Sequence, residues 1–179
     1  MLLVAFLGLS LALVPLARGS FRSLADLRFR GLWLLAVAAA AQLALMLLPG
    51  AASPLRSAAH LASYPFGLAF LFVNRRVPGL WLVALGAFMN FLVIAANGGV
   101  MPAAPHALAL AGLPAHPGLF SNSALLANPR LLFLGDVFAI PRSWPLSNVF
   151  SAGDLCIALG AAVTIHRAAG SRLTPPVTG

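Results

Sequence analysis

Residues 79–96 read GLWLVALGAFMNFLVIAA, eighteen positions without a charge and with Asn90 as their one strongly polar side chain. Asn97-Gly98-Gly99 follows at once, a breaker sequence where a helix should stop. A hydrocarbon core about 30 Å thick takes roughly 20 apolar residues of helix, with about 17 to 25 tolerated. Four further runs of this kind lie at about 2–17, 31–48, 58–73 and 149–166. They are rich in Leu and Ala and show no period-2 alternation, which argues for helices over strands. Composition points the same way: 61% of the residues are hydrophobic and 8% charged, against about 25% charged in an ordinary soluble domain. The expectation is an all-α integral membrane protein, a bundle of about five transmembrane helices, with a structured external loop between helices four and five.

The formal charge of +8 comes from eleven arginines, no lysine, and only Asp26, Asp136 and Asp154. Arg18, Arg22, Arg28 and Arg30 follow the first run, Arg75-Arg76 the third, and Arg167 and Arg172 the fifth. Only Arg56, Arg130 and Arg142 fall on the alternate side. Short basic loops stay cytoplasmic, so the expected placement is the cell membrane, multi-pass, with the N-terminus outside and the C-terminus cytoplasmic. The first run has its basic residues after the apolar stretch, the order of an uncleaved anchor. Charge divided among short loops offers no single basic face, which excludes a nucleic-acid partner. The expected partners are the lipid bilayer and a second membrane protein or another copy of the chain.

Breakers join the first four runs closely: Pro49-Gly50 after the second, and Asn74-Arg75-Arg76-Val77-Pro78-Gly79 between the third and fourth. Short connections of this kind make antiparallel neighbours. Small residues crowd runs two and four (Ala36 through Ala41; Ala84, Gly86, Ala87), permitting close helix contact. The loop, about 97–148, is proline-rich yet carries Leu108, Leu113, Phe120, Leu132, Phe133, Val137, Phe138, Ile140 and Trp144. That apolar content predicts a folded cap. Short helical turns are expected at His106–Gly112 and Ser121–Ala127, and a loose tail at about 171–179. The chain reads as a single membrane domain over residues 1–179.

Catalytic signatures are missing. There is no phosphate-cradling glycine loop with lysine, no HExxH, no CxxC and no GxSxG. His60, His106, His116 and His166 lack ligand spacing, and Cys156 stands alone. No metal, cofactor or catalytic residue is expected. The polar residues that remain map to one end of the bundle: Asn90 and Asn97, seven apart on one helix face; Ser151 and Asp154 opening the last run; Asp136 in the loop; His60 and Tyr64, four apart; and Gln42. Asp154 has three readings: an acid stabilised at a helix N-terminus, a ligand contact, or a partner of Arg130 or Arg142. Asp136 reads as a turn carboxylate. Asp154, Asp136, Asn97, Asn90, Ser151, His60 and Tyr64 are the candidate ligand- or partner-binding residues.

Three strings carry a resemblance. Asn97-Gly98-Gly99-Val100-Met101-Pro102, Leu134-Gly135-Asp136-Val137-Phe138-Ala139-Ile140-Pro141 and Ser151-Ala152-Gly153-Asp154 resemble the N-G-G-x-M-P, L-G-D-x-x-x-x-P and S-x-G-D pattern of small bacterial multi-pass membrane proteins that form a domain-of-unknown-function family. The basic segment Leu24-Ala25-Asp26-Leu27-Arg28 is similar as well. The resemblance covers essentially the whole chain and implies a multi-pass membrane protein without supplying an activity. Three function classes follow from size and residue content. The leading one is a non-catalytic accessory or assembly subunit docking through its external loop. The alternatives are a small-solute or lipid carrier using the polar residues of the external face, and a membrane enzyme acting on a lipid.

Overall fold

A computed structural model describes residues 2–47, 54–114 and 123–174. Over these the order is α1 (Leu2–Leu16), α2 (Phe21–Ala25), α3 (Leu32–Leu47), α4 (Pro54–Val73), α5 (Leu80–Ala96), β1 (Met101–Pro102), α6 (Pro105–Ala111), β2 (Ser123–Ala124), a 3-10 turn at Leu132–Leu134, β3 (Phe138–Ile140), β4 (Asn148–Phe150) and α7 (Ala152–Ala168). The expectation of transmembrane helices is corrected. Among the described residues no helix is long and apolar enough to cross a membrane. α1, α3, α5 and α7 have 15, 16, 17 and 17 residues; at about 1.5 Å per residue each reaches roughly 23–26 Å, short of about 30 Å. α4 has 20 residues, but Arg56, His60, Ser63, Tyr64 and Pro65 dilute its apolar content. The last run also loses its start, since Val149 and Phe150 belong to β4 and Ser151 caps the helix. Over the described residues the architecture is therefore mostly helical, with two small two-stranded sheets.

The long helices form one curled layer in the order α1, α7, α5, α4, α3. Its tightest seam is α5 on α7. Gly79 and Gly86 of the α5 segment are seven apart, as are Gly153 and Gly160 on α7, and the chains run antiparallel. Gly86 therefore faces Gly153, and Gly79 faces Gly160. A Cβ on Gly86 would overlap the Gly153 carbonyl oxygen and lie 2.9 Å from Cys156 Cβ; one on Gly160 would lie 2.8 Å from the Gly79 carbonyl oxygen. Two backbones at this distance exclude any side chain between them. Thr164 secures the far end, donating to the carbonyls of Pro78 and Gly160 at 2.9 Å each.

The arginine-rich end is tied by backbone contacts. Ser20 N donates to Ala169 O at 2.8 Å and Arg172 N to Ala17 O at 2.9 Å, joining the α1–α2 turn to the end of α7. Asn74, buried just after α4, clasps Arg30 from both sides: its Oδ1 accepts from Arg30 N and its Nδ2 donates to Arg30 O, each at 2.8 Å. The same Nδ2 reaches Phe70 O at 2.8 Å. Replacing Asn74 by alanine leaves the Arg30 peptide groups unpaired and costs about 2 kcal/mol, measurable as a lower thermal midpoint.

Residues 97–114 and 123–151 fold back over the opposite end of the layer as a cap. β1 pairs in parallel with β2, Met101 with Ser123 and Pro102 with Ala124. β3 pairs antiparallel with β4, Phe138 with Phe150 through Ile140 with Asn148. α6 starts with Pro105 at its first turn and stops at Gly112, whose φ of 65° suits glycine. Its face of Ala104, Ala107, Leu108 and Ala111 packs with Ala103 and Val149 as the cap's own core. The helical turn expected at Ser121–Ala127 is corrected in its described part, because Ser123–Ala124 is a strand; Ser121 lies outside the described residues, as do Phe120, His116 and the tail from 175.

Candidate functional site

The seam between cap and layer is where the candidate residues gather. Met101 and Leu134 from the cap pack with Val93 and Ile94 of α5 and with Leu61 and Tyr64 of α4. Tyr64 lies between His60 and Phe91, with ring centroids 5.5 Å from each. Around this apolar patch three polar assemblies are built.

The first is centred on Asp154. Ser151 caps α7: its Oγ accepts from Asp154 N at 3.0 Å, and the Asp154 Oδ2 accepts from Ser151 N at 3.1 Å. This reciprocal capping box satisfies two amide groups that a helix start would otherwise leave open. Asn90 crosses from α5, donating through Nδ2 to Asp154 Oδ1 at 2.8 Å and accepting at Oδ1 from the Ser151 hydroxyl at 2.9 Å. Asn90 lies flat on Gly153, where any Cβ would overlap its amide. The ring of three side chains is closed. Of the readings left open for Asp154, the geometry matches the acid at a helix N-terminus, with Asn90 and Ser151 taking its oxygens.

The second is Asn97, the C-cap of α5. Its Nδ2 donates to Val93 O at 2.7 Å and to Arg130 O at 2.8 Å, while its Oδ1 accepts from Arg130 N at 2.8 Å. The arrangement repeats what Asn74 does to Arg30 at the other end. Each asparagine sits at a helix end, bonds back four residues, and holds both backbone groups of a distant arginine. Arg130 is therefore fixed by its main chain.

The third is Asp136. Its backbone bridges to Ala103, with Asp136 N donating to Pro102 O at 2.9 Å and Ala104 N to Asp136 O at 3.0 Å. The Ser123 hydroxyl donates to its carboxylate. Burial pushes the Asp136 carboxyl up from its ordinary 3.8 to about 6; the Ser123 bond lowers it in part and the negative charge of Asp154 raises it. In the unfolded chain the group ionises near pH 4, whereas in the folded chain it keeps its proton to about pH 6. Stability is therefore highest below pH 4 and falls as pH rises through that window, by on the order of 3 kcal/mol. Chemical denaturation between pH 4 and 7 measures the slope, and Asp136→Asn removes it.

Gln42 stands apart on α3, donating to Ser63 Oγ at 2.6 Å, with Ser63 donating in turn to His60 O at 2.6 Å. Direct hydrogen bonds thus unite Asn90, Ser151 and Asp154, while Asn97, Asp136 and the His60–Tyr64 stack occupy separate places along the same seam. Ser123 and Ser63 were missed in the sequence, because a serine in a loop or in an apolar run carries no periodic signal of its own. Gly86 reads as permitting close helix contact, but the sequence does not show which glycine it meets. Among the described residues no group of three or more His, Cys, Asp or Glu side chains is placed to hold a metal ion.

These features define a class: a curled layer of helices capped at one end by a small folded insertion, with Asp154 joining α7 to α5 at the seam and Asp136 bonded within the cap. Residues 26–166 match the model of a family of unknown function, DUF5317, and the chain belongs to that family. No curated protein and no solved structure matches it.

Proposed function

We propose that the chain is a non-catalytic accessory or assembly subunit, held at the cell membrane and docking a partner protein through its cap. The observation that carries this reading is the closed ring of Asn90, Ser151 and Asp154. The acid best suited to chemistry is spent on joining the start of α7 to α5, and Asn97 is spent on holding Arg130 of the cap to the end of α5. A group whose oxygens are both occupied by its own helix cap and a neighbouring amide serves as a strut. The cap meanwhile turns large apolar side chains outward: Phe133 is 69% and Trp144 67% exposed, with Phe138 and Leu146 also exposed. Exposed aromatic groups of this size mark contact surfaces.

Membrane association rests on the outer faces of the layer. Trp33, Phe72, Trp81, Leu85, Phe88 and Leu159 are exposed there, and apolar surface of that extent is stabilised by transfer out of water. The opposite end from the cap gathers Arg18, Arg22, Arg28, Arg30, Arg75, Arg76, Arg167 and Arg172, suited to the anionic headgroups of the cytoplasmic leaflet. Native mass spectrometry of gently extracted protein tests the docking role. A second polypeptide at fixed stoichiometry, lost in Phe133→Ser/Trp144→Ser with the thermal midpoint unchanged, is the expected result. Equal recovery with the double variant, or turnover of a lipid by the purified chain, overturns it.

A further inference from the structure

The curled layer leaves an elongated cleft between its two ends. Leu7 of α1 and Leu35 of α3 stand on either side of a cavity of about 390 Å³ that is floored by Gly67 and Leu71 of α4, Val83 of α5 and Ile165 of α7. A second cavity, of about 300 Å³, continues from it: both share Leu35, Gly67 and Leu71, and the second extends to Gln42, Ser63 and Tyr64. From Gln42 to Leu35 is seven residues of helix, about 10 Å, so the cleft is a slot running along the bundle. We propose that it binds the hydrocarbon chain of an uncharged lipid whose hydroxyl or ester head sits at Gln42 and Ser63.

Four observations carry the assignment. Among the described residues no charged side chain lines either cavity, so an ionised ligand would find no counter-charge among them. Among the described residues the polar end consists of the Gln42–Ser63 pair and the Tyr64 phenol, suited to orienting a neutral head. At the other end the Thr164 hydroxyl is turned to the carbonyls of Pro78 and Gly160, leaving the wall apolar. The volumes fall in the range of about 300–1,000 Å³ typical of small-molecule sites, whereas a helix some 10–12 Å across would need the slot to open. Gly67 fits the same picture: it lines both cavities, and a Cβ there would meet nothing within 4 Å. The smallest residue stands where space is left open. This assignment does not rest on the docking role of the cap, and the test below uses a chain with its cap unaltered.

The probes are 1-hexadecanol and palmitate, titrated into the purified full chain in a short-chain detergent and read by native mass spectrometry and thermal shift. Hexadecanol binds at one equivalent and raises the midpoint, palmitate at least tenfold more weakly. Gly67→Leu, which fills the slot, weakens hexadecanol at least tenfold while its own midpoint stays at or above that of the natural chain. Gln42→Leu, which removes the amide at the polar end, weakens hexadecanol while leaving the slot open. Should Gly67→Leu fold poorly, Gly67→Ala, one carbon larger than the native residue, lowers hexadecanol affinity by a smaller factor. Unsaturable uptake by the natural chain, or hexadecanol binding unchanged in both Gly67 variants, overturns the assignment. A change of oligomeric state in Gly67→Leu with unaltered hexadecanol binding overturns it in favour of a second copy.

Discussion

Gly86→Ala destabilises the protein by about 3 kcal/mol or more, at the upper end of what overpacking a core costs. The sign runs against local preference. Alanine exceeds glycine in a helix interior by about 1 kcal/mol, so on an isolated helix the substitution would stabilise. In place, the new methyl overlaps the Gly153 carbonyl oxygen and presses on Cys156 and Ile157. A backbone atom has no rotamer to escape into, so α5 and α7 must separate and their seam loses contact along its length. Gly67→Ala supplies the control. It is also a glycine in the interior of a long helix, but its Cβ meets nothing within 4 Å, and it stabilises by about 1 kcal/mol. Thermal or denaturant unfolding in mild detergent measures both. Equal shifts of the same sign would show that the seam is not held at backbone contact.

Asn90→Leu is the second large loss, about 3 kcal/mol. The amide is buried and makes two bonds at once, giving to the Asp154 carboxylate and receiving from Ser151. Removing it strips a partner from a charged oxygen, and the penalty for a charged group exceeds that for a neutral one. The leucine must also fit against Gly153, where the native amide already lies in contact. A double-mutant cycle isolates the polar part. Asn90→Ala and Asp154→Ala, made singly and together, should couple by about 1–3 kcal/mol. Additive losses would mean that the two side chains stabilise the fold independently and that α5 and the start of α7 are held together by other contacts.

The leucine- and alanine-rich runs specify helices whatever surrounds them, since helical preference, apolar content and the breakers at Gly79 and Asn97-Gly98-Gly99 are local properties. The apolar content between 97 and 148 likewise calls for a folded segment, and α6 with β4 supplies a small core of Ala103, Ala104, Ala107, Leu108, Ala111 and Val149, while Phe133, Phe138 and Trp144 stay exposed. Membrane spanning was not legible in the same way. Apolar composition measures how much of a segment avoids water, but the usable length depends on where each helix stops. At the start of α7 that point is set by pairing with β3 and by the Ser151 cap.

The role of Asp154 lay beyond the sequence for a related reason. An acid near a helix start fits a strut, a ligand contact or an arginine partner equally well, and only the crossing of α5 brings Asn90 to its oxygen, 64 residues away in the chain. The repeats Gly79–Gly86 and Gly153–Gly160 are visible in one dimension, yet glycines of apolar runs acquire meaning only when two helices meet face to face. Sequence by itself determined that the long apolar runs are helical, where the basic residues cluster and which residues are polar among apolar ones. Tertiary structure alone decided which of those residues meet, because long-range pairing is a matter of packing geometry that no local preference encodes.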